Sequence, residues 1–188
     1  MDAEYAIDAK GLEDIARSRE GKNIHDTILE YLEGRWTGRM LDVGPRNPLT
    51  TKLEQKLYCT VYNTEGDLDD PHFYVPNYIY DTILVSHVIE HLHNPLQFLK
   101  RLRLFLKNGG GLLIATPLGH QMWKMWEDGH YHEIDERRMR KMLRQSGFDV
   151  VNVVKHKRYR GNLKGIRPLI RWLTDKNVIY ECRKNNEV

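Results

Sequence analysis

Residues 80–117 read YDTILVSHVIEHLHNPLQFLKRLRLFLKNGGGLLIATP, and their periodicity decides the architecture. The run YDTILVS (80–86) is rich in β-branched and apolar residues and predicts a strand. Asn94 and Pro95 then supply an N-cap and a first helical residue whose missing N–H costs nothing. Leu99, Leu102 and Leu106 follow on one face, and Gly109 offers a left-handed C-cap. The run GLLIATP (111–117) predicts the next strand. Strand, helix and strand, with the unbroken apolar runs ILV and LLIA, describe a sheet covered on both faces.

The same devices recur on either side. Upstream, MLDV (40–43) is a first strand running into Gly44, and Asn47-Pro48 opens a helix with Leu49, Leu53 and Leu57 on one stripe. LYCTVYN (57–63) reads as the second strand. Leu12, Ile15, Ile24, Ile28, Leu29 and Leu32 mark one or two leading helices over 11–34, closed by Gly34. Downstream, Asp135 caps ERRMRKMLRQSG, a helix stopped at Gly147, and FDVVNVV and NVIYECRK are the last two strands. Without repeats, low-complexity tracts or linkers, residues 1–188 read as one domain: leading helices over 1–37, a core over 38–155, a basic amphipathic insert over 156–176 and a last strand over 177–188.

Composition narrows the function classes. The chain of 188 residues has 29 basic and 26 acidic side chains, a net charge of +3, too balanced to signal a nucleic-acid partner. No apolar run approaches the roughly 18 to 20 residues that span a bilayer. Cys59 and Cys182 are far apart, and the polar, acidic start is not a secretory segment, so a reducing cytoplasm is expected.

Taken in order, MLDVG, GDLDD, YDTILVSHVIEHLHNPLQFLKRL, LKNGGGLLIATP and HYHEIDERRMRKMLRQSGFDV resemble the class I S-adenosylmethionine-dependent methyltransferases of the small-molecule type. The resemblance covers about residues 35–155. It implies a Rossmann-like, doubly wound, seven-stranded, mostly parallel sheet with an antiparallel last strand. The interval from Asn63 to Tyr80 is too short for the usual helix and full strand, so the third strand is expected to be short or missing, with HFYVP as a remnant.

The resemblance also implies site residues. Asp42 and Gly44 match the loop around the methionine part of S-adenosylmethionine; Asp67 and Leu68 match the adenine contact; Ser86 and His87 line the methionine end. The ribose position falls on Asn63 by spacing and on Glu65 by chemistry, and both stay open. The family's later loop glycines are replaced by Arg46 and Pro48. Arg46 is either a solvated side chain or a partner for the cofactor's carboxylate. His91 and His130 are the candidate bases, and His120, Trp123 and Trp126 follow the fifth strand of the family order, where acceptors enter.

Two other readings compete. His87, Glu90 and His91 spell the H-x-x-E-H order of inverted zinc peptidases, but a strand ending at Ser86 and a helix starting at Pro95 leave too little room for the helix that motif needs. A member of the fold kept for binding or scaffolding, without catalysis, is the nearer rival, because the cofactor loop is poor in glycine. The basic stretch 155–173 reads as a pocket-closing insert, and secondarily as a contact for an anionic acceptor or a weak membrane-surface contact. The sequence leaves the oligomeric state open.

Overall fold

The computed structural model describes residues 19–36, 38–118, 131–132, 134–157 and 176–185. Its elements are α1 (Arg19–Leu32), β1 (Met40–Asp42), α2 (Pro48–Leu57), β2 (Val61–Asn63), β3 (Tyr80–Ser86), a 3-10 turn (Ile89–His91), α3 (Pro95–Phe105), β4 (Leu106–Pro117), α4 (Glu136–Gln145), β5 (Phe148–Lys157) and β6 (Lys176–Lys184). The strands form one sheet in the order β2-β1-β3-β4-β6-β5. The pairs β1–β2, β1–β3 and β3–β4 are parallel, whereas β6 runs antiparallel to both β4 and β5. The fold is therefore the Rossmann-like α/β sheet that the sequence implies.

The sheet has six strands among the described residues, not seven. In place of the third, Glu65 and Tyr74 exchange two backbone hydrogen bonds of 3.1 and 3.0 Å as an isolated antiparallel bridge. Tyr74 belongs to HFYVP, so the remnant is there, reduced to one residue pair. Aromatic side chains gather around the shortened margin: Tyr62 lies 4.7 Å from Tyr78 and 5.8 Å from Tyr80 between ring centroids, and the Arg39 guanidinium stacks 4.6 Å over Tyr78.

Strand alternation divides the core in two. Leu41, Ile83, Val85, Leu112 and Ile114 join Phe98, Leu99 and Leu102 of α3 and Met139 and Leu143 of α4. Their neighbours Met40, Leu84, Leu113 and Ala115 face the other way, onto Ile28 and Leu32 of α1 and Leu49 and Leu53 of α2. The central strands β1, β3 and β4 thus bury both faces, which explains the continuous apolar runs. Trp36 lies in the second cluster, flat enough on β4 that a Cβ on Gly111 would sit 1.6 Å from its ring.

Local chemistry sets the helix starts. Asn47 accepts from the N–H groups of Leu49 and Thr50 at 2.8 and 3.4 Å, and the Thr50 hydroxyl answers the Asn47 N–H at 3.3 Å, a reciprocal capping box. Asn94 and Asp135 cap α3 and α4 by single bonds to Gln97 and Arg138. Two boundaries differ from the sequence expectation. Leu57 ends α2 rather than opening β2, because its apolar side chain completes the helical stripe. α3 stops at Phe105, and Gly109, with φ of 71°, lies in the irregular start of β4 instead of capping a helix.

Candidate active site

Strand order creates the site. β1 pairs on one side with β2, through Asp42 and Asn63, and on the other with β3, through Asp42 and Leu84, so the chain leaves β1 for one side and crosses back to continue the sheet on the other. At such a switch point the carboxyl ends of the strands open a crevice. The Val43 N–H still reaches the Leu84 carbonyl at 2.9 Å; then the chain turns at Gly44, whose φ of 111° suits a residue without a side chain. A Cβ there would meet nothing within 4 Å, so open space lies beside this backbone.

A polar network fixes the turn from below. The Gly44 N–H donates to Thr64 Oγ1 at 2.8 Å in a buried bond. Asn63 Nδ2 donates among three acceptors, the carbonyls of Asp42 and Gly44 at 3.0 and 3.2 Å and Thr50 Oγ1 at 3.3 Å. Thr50 in turn donates to Asp42 Oδ2 at 2.6 Å, with Asn47 Nδ2 at 3.4 Å. Asp42 is 1% exposed. Burial pushes its carboxyl up to about 6, against the pull of Thr50, Asn63 and Asn47.

Beyond that network the expected residues separate. Arg46 forms a bidentate pair with Glu54 on the exposed side of α2, and that guanidinium holds the Glu54 carboxyl below its usual range. Glu65 is exposed and joins the bridge to Tyr74 by its backbone. Asp67 is exposed and closes a turn by accepting from the Asp69 N–H at 3.0 Å. Asp69 receives the N–H groups of His93 and Asn94 at 2.8 and 3.0 Å, which ties the GDLDD loop to the entrance of α3. Leu68 is partly buried against the first core cluster.

The end of β3 is built differently. Ser86 is half-buried; His87 follows in the left-handed region with φ of 54°, its N–H bonded to the Ala115 carbonyl at 2.8 Å. Its Nδ1 lies 3.0 Å from Glu90 Oε1, while Glu90 Oε2 accepts from Thr116 Oγ1 of β4 at 3.1 Å. The Glu90 side chain is 2% exposed. Burial raises its carboxyl, but the contact with His87 and the nearby His91 charge outweigh that and hold it below the usual range. The Glu90 carbonyl accepts from the N–H groups of Tyr131 and His132 at 2.8 and 3.1 Å. A 3-10 turn over 89–91 stands where a zinc peptidase would need a helix, and the described residues hold no cluster of three metal-ligating side chains.

Sequence reasoning passed over four of these side chains. Thr50 is the third residue of its helix, where an N-capping partner is expected. Thr64 follows the strand end. Thr116 faces Glu90 from β4. His25 of α1 is buried, with Nδ1 lacking a partner among the described residues; burial, Lys52 and His87 lower its pKa to about 4 against the pull of Asp26. Its spacing from Leu29 and Leu32 on the apolar stripe was the available signal. His120, Trp123, Trp126, His130 and the basic stretch beyond residue 157 lie outside the described residues. No helix among the described residues is long and apolar enough to cross a membrane.

Comparison with known proteins agrees with this fold. Residues 15–153 match the model of a family described as a methyltransferase domain. No curated protein matches the sequence. Among solved structures, a SAM-dependent methyltransferase from Archaeoglobus fulgidus is 14% identical with a TM-score of 0.62, over 94% of this chain and 100% of that one. Burkholderia thailandensis 1,6-didemethyltoxoflavin-N1-methyltransferase, with bound 1,6-didemethyltoxoflavin and S-adenosylhomocysteine, is 15% identical with a TM-score of 0.60, over 99% and 94% of the two chains. Haemonchus contortus phosphoethanolamine N-methyltransferase 2, in complex with S-adenosyl-L-methionine, is 14% identical with a TM-score of 0.62, over 88% and 53%.

Proposed function

The chain belongs to the methyltransferase-domain family, and from that premise we propose that it transfers the methyl group of S-adenosylmethionine to a small-molecule or glycan-type acceptor in the cytoplasm. The observation that carries this reading is the Gly44 turn: a positive-φ glycine at the end of β1, its N–H fixed by Thr64, with open space where a side chain would stand. The turn leads into the N-terminus of α2, whose field favours a carboxylate such as that of the methionine moiety. The residues present thus fit the cofactor at this end.

The roles divide by chemistry. Asp42 holds the loop through Thr50 and Asn47, and Gly44 admits the methionine part. Asn63 has its amide nitrogen committed to the loop carbonyls, which favours the Glu65 carboxylate for the ribose hydroxyls. Asp67 and Leu68 are the adenine-side residues, and Ser86 closes the methionine end. Arg46 drops out of the binding set because Glu54 engages it. When bound, S-adenosylmethionine supplies a methyl carbon on a cationic sulfur; the protein's contribution is alignment and exclusion of water. The basic residues of 155–173 favour an anionic acceptor.

Calorimetry of the purified chain with S-adenosylhomocysteine tests the reading. Saturable binding is expected, weakened in Glu65→Gln while the unfolding midpoint stays put. Absence of binding to both S-adenosylhomocysteine and S-adenosylmethionine would transfer the assignment to a binding or scaffold member of the fold.

A further inference from the structure

Glu90 is a buried carboxylate that the cofactor-binding reading leaves without a task. Ionised carboxylates are costly to bury and persist where fixed partners hold them. Here the carboxylate has two partners, His87 Nδ1 at 3.0 Å and the Thr116 hydroxyl at 3.1 Å, while the N–H groups of Tyr131 and His132 anchor the residue through its main-chain carbonyl. His87 adopts a left-handed backbone, uncommon for a residue with a side chain and found where surrounding structure dictates it. On the far side of the ring, Nε2 is buried and has no hydrogen-bond partner among the described residues.

We propose that His87, oriented by Glu90, is the base that receives the proton of a hydroxyl acceptor, which makes the protein an O-methyltransferase; this rests on the methyltransferase reading above. In the resting state inferred, ionised Glu90 takes the Nδ1 side of the ring, so the ring's proton sits on Nδ1 and Nε2 is left to accept. The Nδ1 proton is not squarely aligned on Oε1 here, and a small turn of the imidazole completes the bond. A buried ring nitrogen without a hydrogen-bond partner calls for one, and a protic ligand supplies it. Carboxylate-fixed tautomers serve general bases in this way.

The chemistry selects oxygen. A neutral amine can attack through its free lone pair before losing a proton, whereas a hydroxyl must shed its proton as the carbon–oxygen bond forms. In the step inferred, the O–H bond breaks towards His87 Nε2, the freed electron pair joins oxygen to the methyl carbon, and the carbon–sulfur pair remains on sulfur as a neutral thioether. His87 ends as an imidazolium stabilised by Glu90 and passes its proton to water. His25, kept neutral by burial, adds no competing charge. His87 is thereby the catalytic base in place of His91 and His130, and Glu90 is a positioning residue.

The test is long-range proton–nitrogen NMR on the 15N-labelled full chain saturated with S-adenosylhomocysteine at about pH 7.5, with calorimetry of the same ligand alongside. His87 should be a single Nδ1–H tautomer, its bare Nε2 resonance shifting on addition of phenol and not of aniline. Glu90→Gln should mix the tautomers while changing S-adenosylhomocysteine affinity by less than about threefold. An Nε2–H tautomer in the wild type, or equal response to phenol and aniline, overturns the proposal while leaving the methyltransferase reading intact. Failure of the wild type to bind S-adenosylhomocysteine removes both. Should Glu90→Gln not fold, the wild-type tautomer and its phenol response decide the matter alone.

Discussion

Replacing Asp42 by Asn should flatten the pH dependence of stability. The Asp42 carboxyl rises from 3.8 to about 6 on folding, chiefly by burial. At about 1.36 kcal/mol per unit, that is a penalty of about 3 kcal/mol for holding the ion in the folded state. The folded state therefore binds more protons than the unfolded chain between these two values. The protonated acid's advantage is complete below 3.8 and is lost as pH rises through about 6. Asparagine stays neutral and keeps an oxygen for Thr50. Between about pH 4.5 and 7.5, urea unfolding should show the variant gaining about 2 kcal/mol relative to the wild type, the part of the penalty that falls in that window. All other ionisable groups are shared and cancel. Two stability profiles that run parallel across this range would refute the claim that Asp42 is held as a desolvated ion.

Four more substitutions probe the turn and its surroundings. Gly44→Ala forces a side chain onto a φ of 111° and should lose about 1–3 kcal/mol along with S-adenosylhomocysteine affinity; unchanged calorimetry and melting would show that the loop relaxes freely. Thr64→Val strands the buried Gly44 N–H and should lower stability by about 1–3 kcal/mol in urea titrations. Gly111→Ala drives a methyl into the Trp36 ring and should lose at least about 1–3 kcal/mol, part of it recovered when Trp36→Ala is added. Arg46→Ala should leave both the unfolding midpoint and S-adenosylhomocysteine binding unchanged, since Glu54 and solvent are its partners.

The helices and strands were legible because their signals are local. Asn-Pro pairs announced α2 and α3, Asp135 announced α4, and the runs ILV and LLIA announced strands buried on both faces. The chain ends of those signals were less clear: Leu57 satisfies a helical stripe and a strand equally well, and only packing settles it. In the candidate site, positions were legible where backbone geometry demands a residue type, as at Gly44 with its positive φ. They were obscure where the partner lies far along the chain. Nothing near Thr116 predicts that it meets Glu90, 26 positions away, and nothing near Arg46 distinguishes Glu54 from a bound carboxylate, since both offer the same chemistry. His25 was hidden by its setting, an ordinary position on an apolar helical face.

The loss of the third strand reaches beyond strand count. A sheet margin carries unpaired backbone groups that invite strand addition, and short, twisted margins resist it. Here β2 is three residues long and flanked by a one-pair bridge and tyrosines, a poor template for a neighbouring chain. The crevice between β1 and β3 lies inside the sheet, so trimming this flank leaves the candidate site where it was. The margin is thus a place where the fold can shrink, or acquire new peripheral parts, over evolutionary time without rebuilding its chemistry.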